Sequence, residues 1–447
     1  MNTSPTALTS PTALSSIAAR RAFVDGAFVP ATVRIDAGTI ASVDPFDEGA
    51  DVVVADDQVL LPGLVDTHVH LNEPGRTSWE GFATGTAAAA AGGITTLVEM
   101  PLNSIPVTTT PEALAVKREA AHDQLAVDVA YWGGAVPENV TALGTLLDAG
   151  VVGVKCFMAP SGIDEFGHLS SAQLETALTA LAPRDGLLIA HAELEEHLEG
   201  FAGQRFADFV ASRPPRAEIE AVRVVVDAAA RTGARAHIVH VSSAEAVDLI
   251  RRARADGVRI TAETCPHYLA LRAEDVPDGA GRFKCCPPVR DARNQDLLWE
   301  GVLDGTIQAI VSDHSPATSD LKETPSLAEA WGGIAGVQTG LRAVWTEAHR
   351  RGIPLEWILP AFTTGPASIV RLDDRGLIAA GAPAHLAVFD PDAVRTLRLD
   401  ELLYRNPMSP WQDEQLRGEI SETYVRGELI YSHDRGLIRR AGRELLA

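Results

Sequence analysis

The stretch LPGLVDTHVHLNEPGRTSWEG, Leu61 to Gly81, follows Leu60 with Leu61, Leu64, Val65 and Val69, an apolar run that reads as a short buried strand. That strand ends in His68 and His70. Alternate side chains of a strand share a face, so both imidazoles point together toward its C-terminal mouth. This is a metal-ligand geometry. By itself His-x-His is a weak signal, because a histidine on an apolar strand also serves as a packed core residue, so further ligands must come from elsewhere in the chain.

A chain of 447 residues has room for a large α/β barrel and a minor domain. Its 46% hydrophobic and 22% charged content is that of a folded globular protein. The net charge of -22 repels phosphate backbones and anionic lipid, so nucleic acid and membrane are not expected partners. Cys156, Cys265, Cys285 and Cys286 form no CxxC pair, which suits a reducing cytoplasm. No apolar run approaches the roughly eighteen residues of a membrane span. The first basic residue is Arg20, so no signal peptide is expected. Residues 4–15 repeat SPTAL, and residues 1–21 read as a flexible tail.

Residues 22–60 alternate short β-branched segments with Gly, Pro and Asp, which suits hairpins. Segments 375–391 and 419–432 have the same texture, so 22–60 and 375–447 are expected to form one small composite β-domain, ending in a C-terminal tail. Between them, 61–374 alternates strand-like runs with Ala-rich helical stretches. The strand candidates are Leu61–His70, Ile94–Met100, Val127–Gly133, Val151–Met158, Leu187–Glu193, Arg235–Ser242, Arg259–His267 and Thr306–His314. Eight strands alternating with helices is the pattern of a TIM (β/α)8 barrel, whose chemistry sits at the C-terminal strand ends.

Those ends carry ligand-type side chains. Strand 4 holds Lys155 in an apolar run, strand 5 ends near His191, strand 6 near His240, and strand 8 at Asp313. Singly, each has another reading: a snorkelling lysine, packed histidines, an N-cap aspartate. Their joint occurrence at five strand mouths argues for a site. Burial lowers a lysine pKa from roughly 10.4, and the neutral amine can add CO2 to give a carbamate, a carboxylate on a long arm able to bridge two metals. The inventory then fits two divalent ions, with His68, His70 and Asp313 on one, His191 and His240 on the other, and carboxylated Lys155 between. Nitrogen and oxygen donors suit Zn²⁺, with Fe²⁺, Co²⁺ and Mn²⁺ left open.

HVHLNEPGRTSWEGF, GGITTLVEMPLNSIP, GVVGVKCFM, HVSS, ETCPHY, KCCPPVRD, VSDHSP and AWGGIAGVQTG together resemble the amidohydrolase superfamily. More narrowly they resemble the cyclic amidohydrolases (dihydroorotases, hydantoinases or dihydropyrimidinases, allantoinases), the allantoinase group most of all. The likeness runs from about Ala22 onward. It implies hydrolysis of allantoin to allantoate in purine nitrogen catabolism, with Asp313 as catalytic proton carrier and a homotetrameric assembly. Dihydroorotases typically carry Arg where this chain has Asn72 and His where it has Ala317, and loss of that carboxylate clamp argues against dihydroorotate. The resemblance also implies substrate contacts for Asn72, Asn103 and Cys286; Asn103 reads equally as a turn residue. Gly332, Gly333 and Gly336 read as a βα loop or a ligand cradle, and His267 and His314 as non-ligands. Hydantoin, dihydropyrimidine or dihydroorotate hydrolysis is the alternative, and a non-catalytic scaffold the more distant one.

Overall fold

The computed structural model describes residues 14–447. Eight parallel strands form the barrel: β1 (Leu64–Val69), β2 (Ile94–Glu99), β3 (Asp128–Tyr131, resumed at Gly133–Gly134), β4 (Val154–Phe157), β5 (Leu187–His191), β6 (Arg235–Ile238), β7 (Ile260–Thr264) and β8 (Ala309–Ile310). Neighbours pair in chain order from β1 to β3 and from Gly133–Gly134 to β8. The ring closes where Val69 bridges His314 in parallel and the His70 amide donates to the His314 carbonyl at 2.8 Å. Each barrel strand falls on the segment expected from the sequence, several shortened at the ends and β3 running one residue past it to Gly134.

The strands are apolar on both faces because helices cover one side and the barrel interior the other. Leu97, Val129, Val154, Leu188, Ala190 and Ala262 are all fully buried. Among the helices, α1 (Pro215–Thr232) shows how the outer ring is specified. Ala221, Val222, Val225, Ala228 and Ala229 recur at helical spacing and are buried, and the helix stops at Gly233 in the left-handed conformation, φ 69°. Burying each valine contributes about 1.5–3 kcal/mol, so Val225→Asp would break this seam.

The second unit is a nine-stranded sheet made from both ends of the chain. Its join is the antiparallel pairing of Val59–Pro62 with 386–389, where Leu60 opposes Val388. Ile17, Val33, Ile35, Leu386 and Val388 form its core. One expectation needs correction. The tail drawn over 1–21 includes residues of the sheet: Ser16–Val24 is a strand, because Ile17, Ala19 and Ala22 present apolar side chains to that core. Residues 1–13 lie outside the described residues. The C-terminal tail is also placed by contacts: Glu444 bridges Val129 of β3 and accepts the Tyr131 hydroxyl at 2.8 Å.

The N-terminal end of the barrel is tied to this sheet by Asp128, whose fully buried carboxylate accepts both oxygens' worth of hydrogen bonds from Arg426 at 2.8 Å and faces Arg375 and His385. Residues 399–411 depart from the sheet and reach the opposite side, where Arg405 donates to the Glu80 carbonyl at 2.5 Å and Asn406 to Ser78 and Trp79, bracing the loop after β1.

Candidate metal centre and substrate cavity

At the C-terminal end of the barrel a cavity of about 350 Å³ is lined by His68, His70, Lys155, His191, His240 and Asp313, and also by Asn103 and Cys286. The period of two in β1 delivers the first pair; its imidazole rings lie 5.5 Å apart. Asp313 Oδ1 sits 3.2 Å from His68 Nε2 and 3.6 Å from His70 Nε2. On the other side His191 Nδ1 faces His240 Nε2 at 3.0 Å, and the His68 and His240 rings are 5.4 Å apart. The two groups are therefore adjacent.

The histidine donor side chains are electrically prepared for a cation. Burial lowers the pKa of His68, His70, His191 and His240, which leaves neutral imidazoles with free lone pairs. The contacts to Asp313 are thus a gathering of acceptors rather than salt bridges. Burial also lowers Lys155 to about 8, against the opposing pull of Asp313 and Glu263. Its ammonium nitrogen lies 5.0 Å from the Phe157 ring centroid, and Phe157 in turn stacks on His191 at 4.7 Å.

Outside the cavity, carboxylates hold the imidazoles by their other nitrogens. Glu263 Oε1 pairs with His68 Nδ1 at 2.6 Å, and Glu193 Oε2 with His191 Nε2 at 2.8 Å. Burial pushes the Glu193 carboxyl up, but Arg213 and His191 beside it hold it at about 2. Such partners fix ring orientation and tautomer. His240 and Asp313 lie just past their strands with φ of 40° and 42°, strained values for residues with a Cβ that turn the side chains inward.

Sequence reasoning missed Glu193, Glu263, Phe157 and Arg213. Glu193 and Glu263 carried a usable signal, since one sits two residues beyond His191 and the other on β7, the same kind of position that yielded the ligands. Arg213, in the excursion between β5 and α1, carried none.

Asn72 needs correction as a substrate contact: it is not part of the cavity wall. Its backbone is left-handed, φ 62°, and its side-chain amide donates to the Pro316 carbonyl at 3.4 Å, which ties it to the loop after β8, with its own Oδ1 buried and unpartnered. Asn103 does reach the wall, with Oδ1 buried and lacking a protein partner. His314 pairs with Glu80 at 3.1 Å and accepts the Gly336 amide at 3.2 Å, a scaffold role. In the WGGIAG segment Gly332 lines the cavity, and a Cβ on Gly333 would stand 2.4 Å from the Ser315 carbonyl, so close loop packing demands the glycine.

The profile of the Amidohydrolase family matches residues 59–430. This chain belongs to the amidohydrolase family. Its sequence is 51% identical to an allantoinase of Streptomyces avermitilis over 90% of this chain and 92% of that one. It is 39% identical to an allantoinase of Saccharomyces cerevisiae over 95% and 96%. Among solved structures it resembles the L-hydantoinase (dihydropyrimidinase) of Arthrobacter aurescens, with a TM-score of 0.90, 28% identity, and coverage of 96% of this chain and 99% of that one. An amidohydrolase is a hydrolase, and the clustered donors stand where this fold concentrates its chemistry. Among the described residues no helix is long and apolar enough to cross a membrane.

Proposed function

We propose that this chain hydrolyses the ring amide of allantoin to give allantoate. The choice of substrate is carried by one observation: relatives named allantoinase, from a bacterium and a yeast, align with this chain along more than nine-tenths of their own length. The hydantoinase likeness in structure favours the second reading, hydantoin or dihydropyrimidine hydrolysis.

We assign His68, His70 and Asp313 to one divalent ion, His191 and His240 to the other, and Lys155, as its carbamate, to both. The donor set fits such a pair: the inward nitrogens of four neutral imidazoles converge, and two of those rings are held from behind by carboxylates. Nitrogen and oxygen donors suit Zn²⁺. Lys155, lowered to about 8, is partly neutral near pH 7.5, so its Nζ lone pair can add to CO2 and release a proton. When bound, the ions supply Lewis acidity and lower the pKa of a water.

The residues themselves do the rest. Asp313 takes the proton of the attacking water and passes it to the ring nitrogen as the carbon–nitrogen bond breaks, so the carbonyl carbon gains oxygen and the nitrogen gains hydrogen. Asn103 Oδ1, an unpaired buried acceptor, suits a ring N–H. Cys286 contributes wall rather than nucleophile, since burial pushes its thiol up. The four cysteines are free, in keeping with a cytoplasmic enzyme, and a homotetramer is the assembly the family resemblance implies.

The test is turnover of allantoin, hydantoin, dihydrouracil and dihydroorotate by the purified protein supplied with divalent metal and bicarbonate. Allantoin is expected to lead. A rate on dihydroorotate far above that on allantoin overturns the reading.

A further inference from the structure

Arg213 is a cavity-wall residue with a committed edge and a free one. Its Nε donates to Glu193 Oε1 at 3.1 Å and its Nη2 to Glu193 Oε2 at 2.5 Å, the two parallel bonds of a guanidinium fork. Among the described residues Nη1 has no hydrogen-bond partner. In a planar guanidinium with the Nε/Nη2 edge on a carboxylate, Nη1 projects away from that carboxylate. The side chain keeps 19% exposure, in contrast to 1% for Glu193. The backbone here is anchored from both sides: the Arg213 amide donates to the Val210 carbonyl at 3.2 Å, and the Arg213 carbonyl accepts from Arg290 at 3.2 Å. Two prolines, Pro214 and Pro215, follow.

The charge of this donor decides what it accepts. Glu193 already neutralises the guanidinium, so the pair offers a polarised N–H with little net charge. A second carboxylate would have to face Glu193 as well, whereas a neutral carbonyl oxygen would not. Allantoin differs from a bare hydantoin ring by a ureido substituent, whose carbonyl is a neutral acceptor of this kind.

We propose that Arg213 is a specificity-determining residue that receives the ureido carbonyl of the substrate through Nη1. This inference rests on the allantoin reading, and the experiment separates the two failures. Wild-type turnover of allantoin is measured first; its absence sinks the reading of the function. R213M and R213K are then compared with wild type in their metal-loaded form for KM and kcat on allantoin, for the inhibition constant of hydantoin, for bound metal and for thermal midpoint. A charged hydrogen bond lost from a substrate that keeps its other contacts corresponds to about tenfold to a hundredfold in affinity. R213M is expected to raise the ratio of allantoin KM to hydantoin inhibition constant by about that factor, since any metal lost through Glu193 and His191 weakens both ligands alike, and R213K should lie between. Equal weakening of both ligands overturns the proposal, because Arg213 would then act only through Glu193 and His191. Should R213M fail to fold, the ratio of allantoin KM to hydantoin inhibition constant in R213K decides, with an unchanged ratio counting against it.

Discussion

Replacing Glu263 should weaken the metal centre in two graded steps. This carboxylate is 2% exposed, pairs with His68 Nδ1 at 2.6 Å, and has its second oxygen 3.0 Å from His237 Nε2, a close approach outside hydrogen-bond alignment. In Glu263→Gln the amide oxygen can still accept from His68, so the loss is the difference between a charged and a neutral hydrogen bond, about 1 kcal/mol, or roughly fivefold. In Glu263→Leu the His68 N–H is left buried without an acceptor, which costs about 1–3 kcal/mol, or roughly five- to 150-fold, in the range seen when such supporting groups are removed from metal sites. The assay is bound metal per chain against graded chelator, with allantoin turnover in parallel. Both readouts should fall together and Leu should exceed Gln. If Glu263→Leu retains its metal and its rate within twofold of wild type, the carboxylate does not support His68 and the reasoning is wrong.

Lys155→Ala removes the side chain we assign to both ions, and should abolish turnover and retention of the metal pair; metal analysis and a rate assay check it, and full turnover by the variant would exclude the carbamate role. Asp128→Asn leaves Arg426, Arg375 and His385 facing a neutral amide at a fully buried position, and should lower unfolding stability by about 3–5 kcal/mol, read from denaturant midpoints, with the KM of the folded enzyme unchanged. Burial opposes ionisation of Asp128, but His385 and the arginines outweigh it and lower its pKa. Its contribution is therefore whole above about pH 3.8 and is lost as pH falls through the depressed value, so wild type and Asp128→Asn should converge in stability only at strongly acid pH. Gly333→Ala puts a Cβ against the Ser315 carbonyl at 2.4 Å, and by displacing a cavity-wall residue should reduce kcat/KM by about tenfold or more; an unchanged rate would show that the loop yields freely.

The candidate metal donors could be gathered from the sequence to the cavity they line because their placement depends on local rules. A strand sends His68 and His70 to one face whatever surrounds it, and a parallel barrel puts its strand ends on one rim, so Lys155, His191, His240 and Asp313 could be collected without knowing any distance. The composite sheet was legible for a similar reason: segments too short to be stable alone at opposite ends of a chain must find each other. Even so, the strand at Ser16–Val24 was lost under a Ser- and Thr-rich prefix, since composition averages over the residues where alternation begins.

Tertiary structure alone decided what surrounds those donors. Glu263 meets His68 across 195 positions of chain, and Arg213 reaches the cavity from the end of a short helix, Phe206–Ser212, that lies off the barrel's strand pattern. Asn72, two residues past His70, is expected from the sequence to touch substrate, but it takes a left-handed turn, donates to the Pro316 carbonyl and is not among the residues lining the cavity. Strand period and chain order determine which residues arrive at the rim. Long-range packing and a few strained backbone angles determine which way they then face, and that is information no local window of sequence contains.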